Sequence, residues 1–496
     1  MSKTTLLAGN AIWNTLERFS TMGIQLLCTF VLALFLTPAD FGLVGMLVVF
    51  TLIGNTITES GFSQALIRQK ECSQLTLSSV FWTNLVLSLL VYAVLFGLAP
   101  LIASWYHQPL LTSVSRLTFC VIPLGALSLI HITLCTRRLQ FRLMCLISLA
   151  ASLLSCVFAV VWAWHTHSVW ALVWQNVLAC ALRTLGYWIT SRWRPMLCYS
   201  LAEVRRLFSF SRNLLVTGLI GNLFNNIYTL LIGRCYGATQ AGYFVQADRI
   251  RIVTSASATQ VVQSVSYPIL SQIHNDDDAG ADATDARLRS AYRRVIGVTL
   301  MLVGFGMALL MTVSEDLMQL LMQRPEWRIS GRYLYALGVA GILFPLHAVN
   351  QNILLVKGLG RTIFWLEVGR RSLMVAILLV AIRFDVSVFV WSYAFYSFLL
   401  IFVNLWVCGR PIRYGLRAQL RDIMPTLLSL AAMLVVAQVS NHYLAPAPIL
   451  MRAVITLLLS AVFGLALLSR LPAFTEVRQL LASASRAFRN PPMPRP

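Results

Sequence analysis

Charge is scarce in this chain. Of its 496 residues only 11% are Asp, Glu, Lys or Arg, while 58% are hydrophobic. A soluble domain carries roughly 25% charged residues, so this chain has too few to coat a surface facing water. Carboxylates are scarcer still: 18 Asp and Glu stand against 39 Lys and Arg, for a formal net charge of +21. None of the ten cysteines forms a C-x-x-C pair. Cys28, Cys120, Cys156 and Cys180 sit inside apolar runs, where small buried hydrophobes explain them better than metal ligands or disulfides. A Walker A run, H-E-x-x-H and G-x-S-x-G are all missing, which leaves ATP hydrolysis and the common hydrolase chemistries without a motif. No basic stripe interleaved with aromatics lies outside the apolar runs, so the positive charge is not a nucleic-acid footprint. No cofactor and no metal site is expected.

What is present is apolar sequence, recurring along the whole length, with a mean hydropathy of +0.74. A spanning helix needs about 20 mainly apolar residues. The runs predict an all-α integral membrane protein of about fourteen transmembrane helices. They fall near 11–36, 41–61, 78–104, 112–135, 143–164, 168–190, 213–234, 242–269, 293–320, 333–356, 362–382, 386–408, 423–443 and 450–470. Glu17 and Arg18 interrupt the first run and no A-x-A cleavage site follows, so it reads as a retained helix and not a signal peptide.

The loops alternate in charge. Arg68 and Lys70, Arg137, Arg138 and Arg142, the arginines of 192–212 and 287–294, Lys357 and Arg361, and those of 410–421 fall on one side. The connections 37–40, 104–110 and 165–168 on the other side are nearly free of Lys and Arg; Arg324, Arg328 and Arg332 are the exception. By the positive-inside bias both termini are cytoplasmic and the number of spans is even. His165 and His167 share a short outer loop with no carboxylate nearby, which is a wet loop before it is a metal site. The polar stretch 271–294, with Asp276, Asp277, Asp278, Asp282 and Asp285, reads as a solvated inner loop.

Ser200-x-x-Glu203 has the form of a capping box, and Leu201, Val204, Leu207 and Phe208 share a face. That predicts an amphipathic helix over 200–210 at the inner membrane surface. Phe474, Val477, Leu481 and Phe488, opposed by Arg478, Arg486 and Arg489, predict a second one before a disordered Pro-rich end. Phe41-Gly42-Leu43 and Ala241-Gly242-Tyr243 mark a repeat spaced by about 200 residues. The expected organisation is an N-terminal lobe over 1–205, a second six-helix lobe over 206–410, two further helices over 411–471, and a tail over 472–496. The two lobes run the same way through the membrane.

Some runs are recognisable. Leu36-Thr37-Pro38-Ala39-Asp40-Phe41-Gly42-Leu43, continuing to Glu59-Ser60-Gly61-Phe62-Ser63-Gln64-Ala65-Leu66-Ile67-Arg68-Gln69-Lys70, resembles the N-terminal signature of Wzx-type polysaccharide-export flippases. These belong to the multidrug/oligosaccharidyl-lipid/polysaccharide exporter superfamily. Gly242-Tyr243-Phe244-Val245-Gln246-Ala247, Tyr267-Pro268-Ile269-Leu270, Glu326-Trp327 and Leu354-Leu355-Val356-Lys357-Gly358 resemble it more weakly. Where relatives continue with an apolar or mildly polar turn, this chain has Asp248-Arg249-x-Arg251. The resemblance implies two lobes around a central cavity, in a protein of the bacterial inner membrane. Its cargo would be undecaprenyl-pyrophosphate-linked oligosaccharide, and its partners membrane lipids and other polysaccharide-assembly proteins. The alternatives are a small-molecule antiporter of the same superfamily, or a membrane polymerase or ligase; the outer loops are short for the latter.

Charges inside spans cost about 2.5–3.5 kcal/mol each on insertion scales, so each needs a partner or a cavity. Arg18, Arg249 and Arg251 are the candidates for holding a pyrophosphate, since a guanidinium is always charged and forks onto phosphate oxygens. The competing reading is internal pairing, of Glu17 with an arginine on another helix and of Asp248 with Arg251. Glu367, Arg370 and Arg371 read as a structural ion-pair group or a coupling site. Arg116 and Arg183 lie near helix ends and read as interface anchors. Asn222, Asn225 and Asn226 share one face, extended by Tyr228, and either meet sugar hydroxyls or bond a neighbouring helix.

Overall fold

The computed structural model describes residues 3–69, 71–275 and 281–478. The described residues form helices throughout, with no strand. They are α1 (Lys3–Ala33), α2 (Pro38–Glu59), α3 (Phe62–Arg68), α4 (Gln74–Tyr106), α5 (Leu111–Thr118) and α6 (Val121–Arg137). Then follow α7 (Phe141–Thr166), α8 (Trp170–Thr190), α9 (Leu201–Asn225), α10 (Ile227–Tyr236), α11 (Ala238–Arg251) and α12 (Ser257–His274). The rest are α13 (Ala281–Thr312), α14 (Ser314–Met322), α15 (Arg328–Val356), α16 (Gly360–Ala381), α17 (Val386–Gly409), α18 (Leu416–Tyr443) and α19 (Ile449–Leu468).

Every predicted span lies on helix, but the breaks fall in places that hydropathy does not mark. Among the described residues 10 segments are long and apolar enough to cross a membrane; the end of α9 with α10, bent by 43°, makes an eleventh. The other predicted spans fall on α8, α11 with α12, and α16. These are diluted by polar residues, among them Arg183, Asp248, Arg249, Glu367 and Arg370. A single π turn over Ile252–Ala256 separates α11 from α12, and Val313 separates α13 from α14.

The chain divides into two compact units between Val245 and Gln246. The division lies beyond the 205/206 boundary read from the loops, because α9 packs against α2, α3 and α4, and α10 against α2. The predicted separate surface helix over 200–210 is the first part of α9. Its Val204 and Leu207 are buried in a cluster with Phe62, Leu66, Phe81 and Trp193. Nor does the predicted capping box close. Ser200 makes no side-chain cap, and the Glu203 carboxylate instead accepts from Thr76 Oγ1 at 3.0 Å and pairs with Arg206 at 2.7 Å. The reciprocal cap forms at the start of α2, where Asp40 Oδ2 accepts from Thr37 N at 2.9 Å and Thr37 Oγ1 at 2.7 Å.

Within the first unit, α2 and the start of α11 cross with their backbones in contact. A Cβ on Gly42 would lie 1.8 Å from the Ala238 carbonyl oxygen, and a Cβ on Gly242 would lie 1.8 Å from the Pro38 carbonyl oxygen. The contact is therefore mutual, and Pro38/Ala238 and Gly42/Gly242 each carry the 200-residue offset of the repeat.

In the second unit the expected loop over 271–294 is helical from Ala281 onward. Asp285 meets Lys357 at 2.5 Å and Asp282 meets Arg413 at 2.7 Å. Asp276, Asp277 and Asp278 lie outside the described residues. Arg293 pairs with Asp422 at 2.7 Å, and the same carboxylate accepts from Tyr414. Burial, and then that hydrogen bond, push the Tyr414 phenol well above its ordinary value. The tail is described to Arg478. Val477 is buried and Glu476 reaches Arg294 at 3.2 Å; Leu481, Arg486, Phe488 and Arg489 lie outside the described residues. The three arginines that break the loop-charge bias are all paired: Arg324 with Glu326 at 3.6 Å, and Arg328 and Arg332 with Glu315 at 2.6 and 3.6 Å.

Candidate functional site

Glu17, Thr21 and Gln25 repeat every four residues along α1, and this polar stripe opens into a cavity of about 360 Å³ in the first unit. Ser148 and Ser152 of α7, Thr51 of α2, Thr118 of α5, and Asn176, Cys180 and Arg183 of α8 complete its polar lining. Ser148 Oγ donates to Glu17 Oε1 at 2.7 Å. A carboxylate away from bulk water needs such donors, and a cavity lined by hydroxyls and amides supplies them. Arg183, expected to anchor at an interface, lines this cavity. Arg18 is exposed and does not line it, as neighbours on a helix point about 100° apart. Arg116 lies 4.4 Å from the centre of the Phe96 ring, and its Nε has no hydrogen-bond partner among the described residues.

The three asparagines at the end of α9 have different surroundings. Asn222 Nδ2 donates across to Thr56 Oγ1 of α2 at 2.7 Å; Asn226, at the bend, donates back to the Asn222 carbonyl at 2.9 Å; Asn225 is exposed. Gly218, one turn before Asn222, leaves room for the same Thr56, whose Cγ2 would lie 3.0 Å from an added Cβ. Tyr228 is buried and stacks on Phe244, so it extends no open polar surface.

In the second unit the intramembrane charges gather into two linked groups. Arg251 is 7% exposed; its Nε donates to Asp248 Oδ1 at 2.6 Å, Nη2 reaches the same oxygen at 2.6 Å, and the guanidinium lies 5.3 Å from the centre of the Tyr393 ring. Arg249, two residues back, is half-buried. On α16, Glu367 meets Arg370 at 2.6 Å and Arg371 at 3.6 Å. Arg370, 5% exposed, also donates to Asn404 Oδ1 of α17, and Asn404 Nδ2 in turn lies 2.6 Å from His347 Nδ1 of α15. Tyr393, Tyr396 and Asn404 recur at helical spacing on α17, which puts the two groups along one face of it.

Asp316 and Arg452 are among the charged residues that lie within predicted spans without having been picked out from the sequence. Asp316 of α14 and Arg452 of α19, 4% and 9% exposed, form a bidentate pair, with Arg452 Nε 2.7 Å from Asp316 Oδ2. Their position inside two apolar runs was the available signal.

Long apolar helices in each unit, with charge enclosed among them, make this a polytopic helical membrane protein. The structure matches lipid II flippase MurJ in its inward closed conformation with a TM-score of 0.68, at 12% identity over 92% of this chain and 99% of that one. It matches an inward-facing multidrug resistance MATE family transporter of the MOP superfamily with a TM-score of 0.61, at 14% identity over 81% and 95%.

By sequence the chain belongs to the polysaccharide biosynthesis protein family, whose model matches residues 31–328. Teichuronic acid biosynthesis protein TuaB of Bacillus subtilis (strain 168) is 24% identical over 78% of this chain and 79% of its own length. Succinoglycan biosynthesis transport protein ExoT of Rhizobium meliloti (strain 1021) is 27% identical over 72% and 70%. Lipopolysaccharide biosynthesis protein WzxC of Escherichia coli (strain K12) is 26% identical over 70% and 69%. The resemblance read from Leu36–Leu43 and Glu59–Lys70 falls within the matched region.

Proposed function

We propose that this protein is a flippase that carries undecaprenyl-pyrophosphate-linked oligosaccharide repeat units across a bacterial inner membrane, with both termini cytoplasmic. It serves exopolysaccharide or lipopolysaccharide synthesis and works by alternating access, driven by an ion gradient or the membrane potential. The observation that carries the reading is the family match over residues 31–328, joined by relatives whose names specify three different surface polysaccharides. The chemistry supports it: arginine outnumbers carboxylate within the spans, which suits an anionic lipid carrier better than a cationic drug.

In this reading Arg18 of the first unit and Arg249 of the second are each, separately, candidate contacts of the pyrophosphate, with Arg251 held on Asp248. Glu17 in its polar cavity and the Glu367–Arg370–Asn404–His347 chain are the coupling elements. A charge-assisted hydrogen bond contributes about 1.5–3 kcal/mol, so Arg249→Ala is expected to lower export about tenfold or more, with Arg249→Lys recovering part of it. The measurement is surface polysaccharide in a strain complemented with each variant at equal protein level.

Deleting the gene is expected to abolish surface polysaccharide and to leave labelled lipid-linked oligosaccharide on the inner leaflet. Wild-type surface polysaccharide in the deletion strain would sink the reading. Accumulation on the outer leaflet instead would point to a polymerase or ligase.

A further inference from the structure

The second unit holds another cavity, of about 450 Å³, at the end of the helices opposite their arginine-rich starts. That end is fixed by direction: α13 runs from Arg287–Arg294 to Thr312, and α18 from Arg417 and Arg421 to Tyr443. The volume lies in the range of about 300–1,000 Å³ typical of ligand sites. On α18, Gln438, Asn441 and His442 stand at i, i+3 and i+4, and all three line the cavity.

The charges of this cavity are already spent. Asp316 is locked to Arg452, and Glu315 accepts from Arg328 at 2.6 Å. Among the lining residues two acids and two guanidiniums cancel; Arg332, which also reaches Glu315 at 3.6 Å, is exposed and does not line the cavity. The uncharged polar groups are held in place but not used up. Gln438 Nε2 donates to Tyr335 Oη at 3.0 Å, and Asn441 Nδ2 donates to the Thr312 carbonyl at 3.0 Å. Each amide keeps a second N–H, Tyr335 keeps its own O–H, and the His442 ring is exposed. Leu434 and Ala437 give the same cavity an apolar wall. Donors and acceptors fixed beside an apolar wall, without net charge, match a sugar ring, which has hydroxyl edges and C–H faces. Groups preset by their own hydrogen bonds lose little freedom on binding.

We propose that this cavity is a saccharide subsite that receives an uncharged sugar residue of the cargo at the end opposite the basic loops. The inference rests on the flippase reading and adds a second contact to it, one that engages sugar and not phosphate.

The probe is the oligosaccharide freed from the host's lipid-linked intermediates by mild acid, which carries no pyrophosphate. Its binding to the full-length protein in nanodiscs is read by saturation-transfer NMR. Wild-type protein is expected to bind it. Gln438→Leu is expected to weaken binding about tenfold, the value of one well-placed hydrogen bond. His442→Ala, at an exposed position, is expected to weaken it severalfold, and Gly221→Ala, whose added Cβ would meet nothing within 4 Å, to leave it unchanged.

Full binding by both cavity variants, or none by the wild type, would overturn the subsite. If the deletion strain loses surface polysaccharide while the cavity variants bind normally, the subsite fails and the flippase reading stands. If deletion leaves surface polysaccharide intact, the flippase reading fails first.

Discussion

Asp248→Ala should be among the most damaging single substitutions in this protein, lowering stability by about 3–5 kcal/mol, the cost of leaving a buried charge without its partner. Arg251 is 7% exposed and directs both Nε and Nη2 at one oxygen of Asp248. Removing the carboxylate strands a guanidinium that cannot discharge itself, since arginine stays protonated. The double variant Asp248→Leu/Arg251→Met removes both charges and is expected to recover most of the loss. Thermal unfolding of the purified protein, followed by tryptophan fluorescence, measures both. The double variant also separates two roles of Arg251: normal stability with export lost would make it a cargo contact, whereas normal export would make it structural.

Gly42→Ala and Gly242→Ala should destabilise as well, against the usual sign. In a helix interior alanine is favoured over glycine by about 0.5–1 kcal/mol. Here the added methyl would sit 1.8 Å from a backbone carbonyl oxygen in either case, and backbone cannot rotate aside. The helices must part by more than an ångström, and overpacking of this kind costs about 1–3 kcal/mol or more. Gly221→Ala in α9 is the control, because its Cβ would meet nothing within 4 Å, and it is expected to be neutral or stabilising. The same unfolding measurement decides; a stabilised Gly42→Ala would mean that α2 and α11 do not touch as described. The two glycine substitutions should not add, since they disturb one crossing.

Much of this was readable in the residues. Apolar runs and loop charge locate the helices because the bilayer leaves no other backbone solution. Most of the intramembrane arginines could be picked out because each violates that rule, although Arg452 was passed over inside its apolar run. Partners one turn apart on the same helix, such as Asp248 and Arg251, could be read from spacing, but partners on other helices could not. Ser200-x-x-Glu203 satisfies the local pattern of a cap, yet Glu203 is claimed by Thr76, 127 positions away in sequence. Asn222, Asn225 and Asn226 share a helical face with two readings left open, and Asn222 takes the neighbouring helix, on Thr56, while a 43° bend after Asn225 turns Asn226 back onto the Asn222 carbonyl. Arg183 lies near a helix end, where snorkelling is the default, but the polar stripe of α1 gives it a cavity to face. Periodicity reports which face a residue occupies, and only the packing reports what stands opposite.

The α2–α11 crossing bears on the origin of the chain. Pro38 meets Gly242 as Ala238 meets Gly42, so each surface is its own complement after a two-fold rotation. A self-complementary contact needs no second kind of partner. A chain ending after the first repeat would carry one full copy of it, Pro38 with Gly42, and two such chains could join by making it twice. The present chain makes, within one polypeptide, a contact of the form that closes a homodimer. Each glycine of the pair also limits what the other can become.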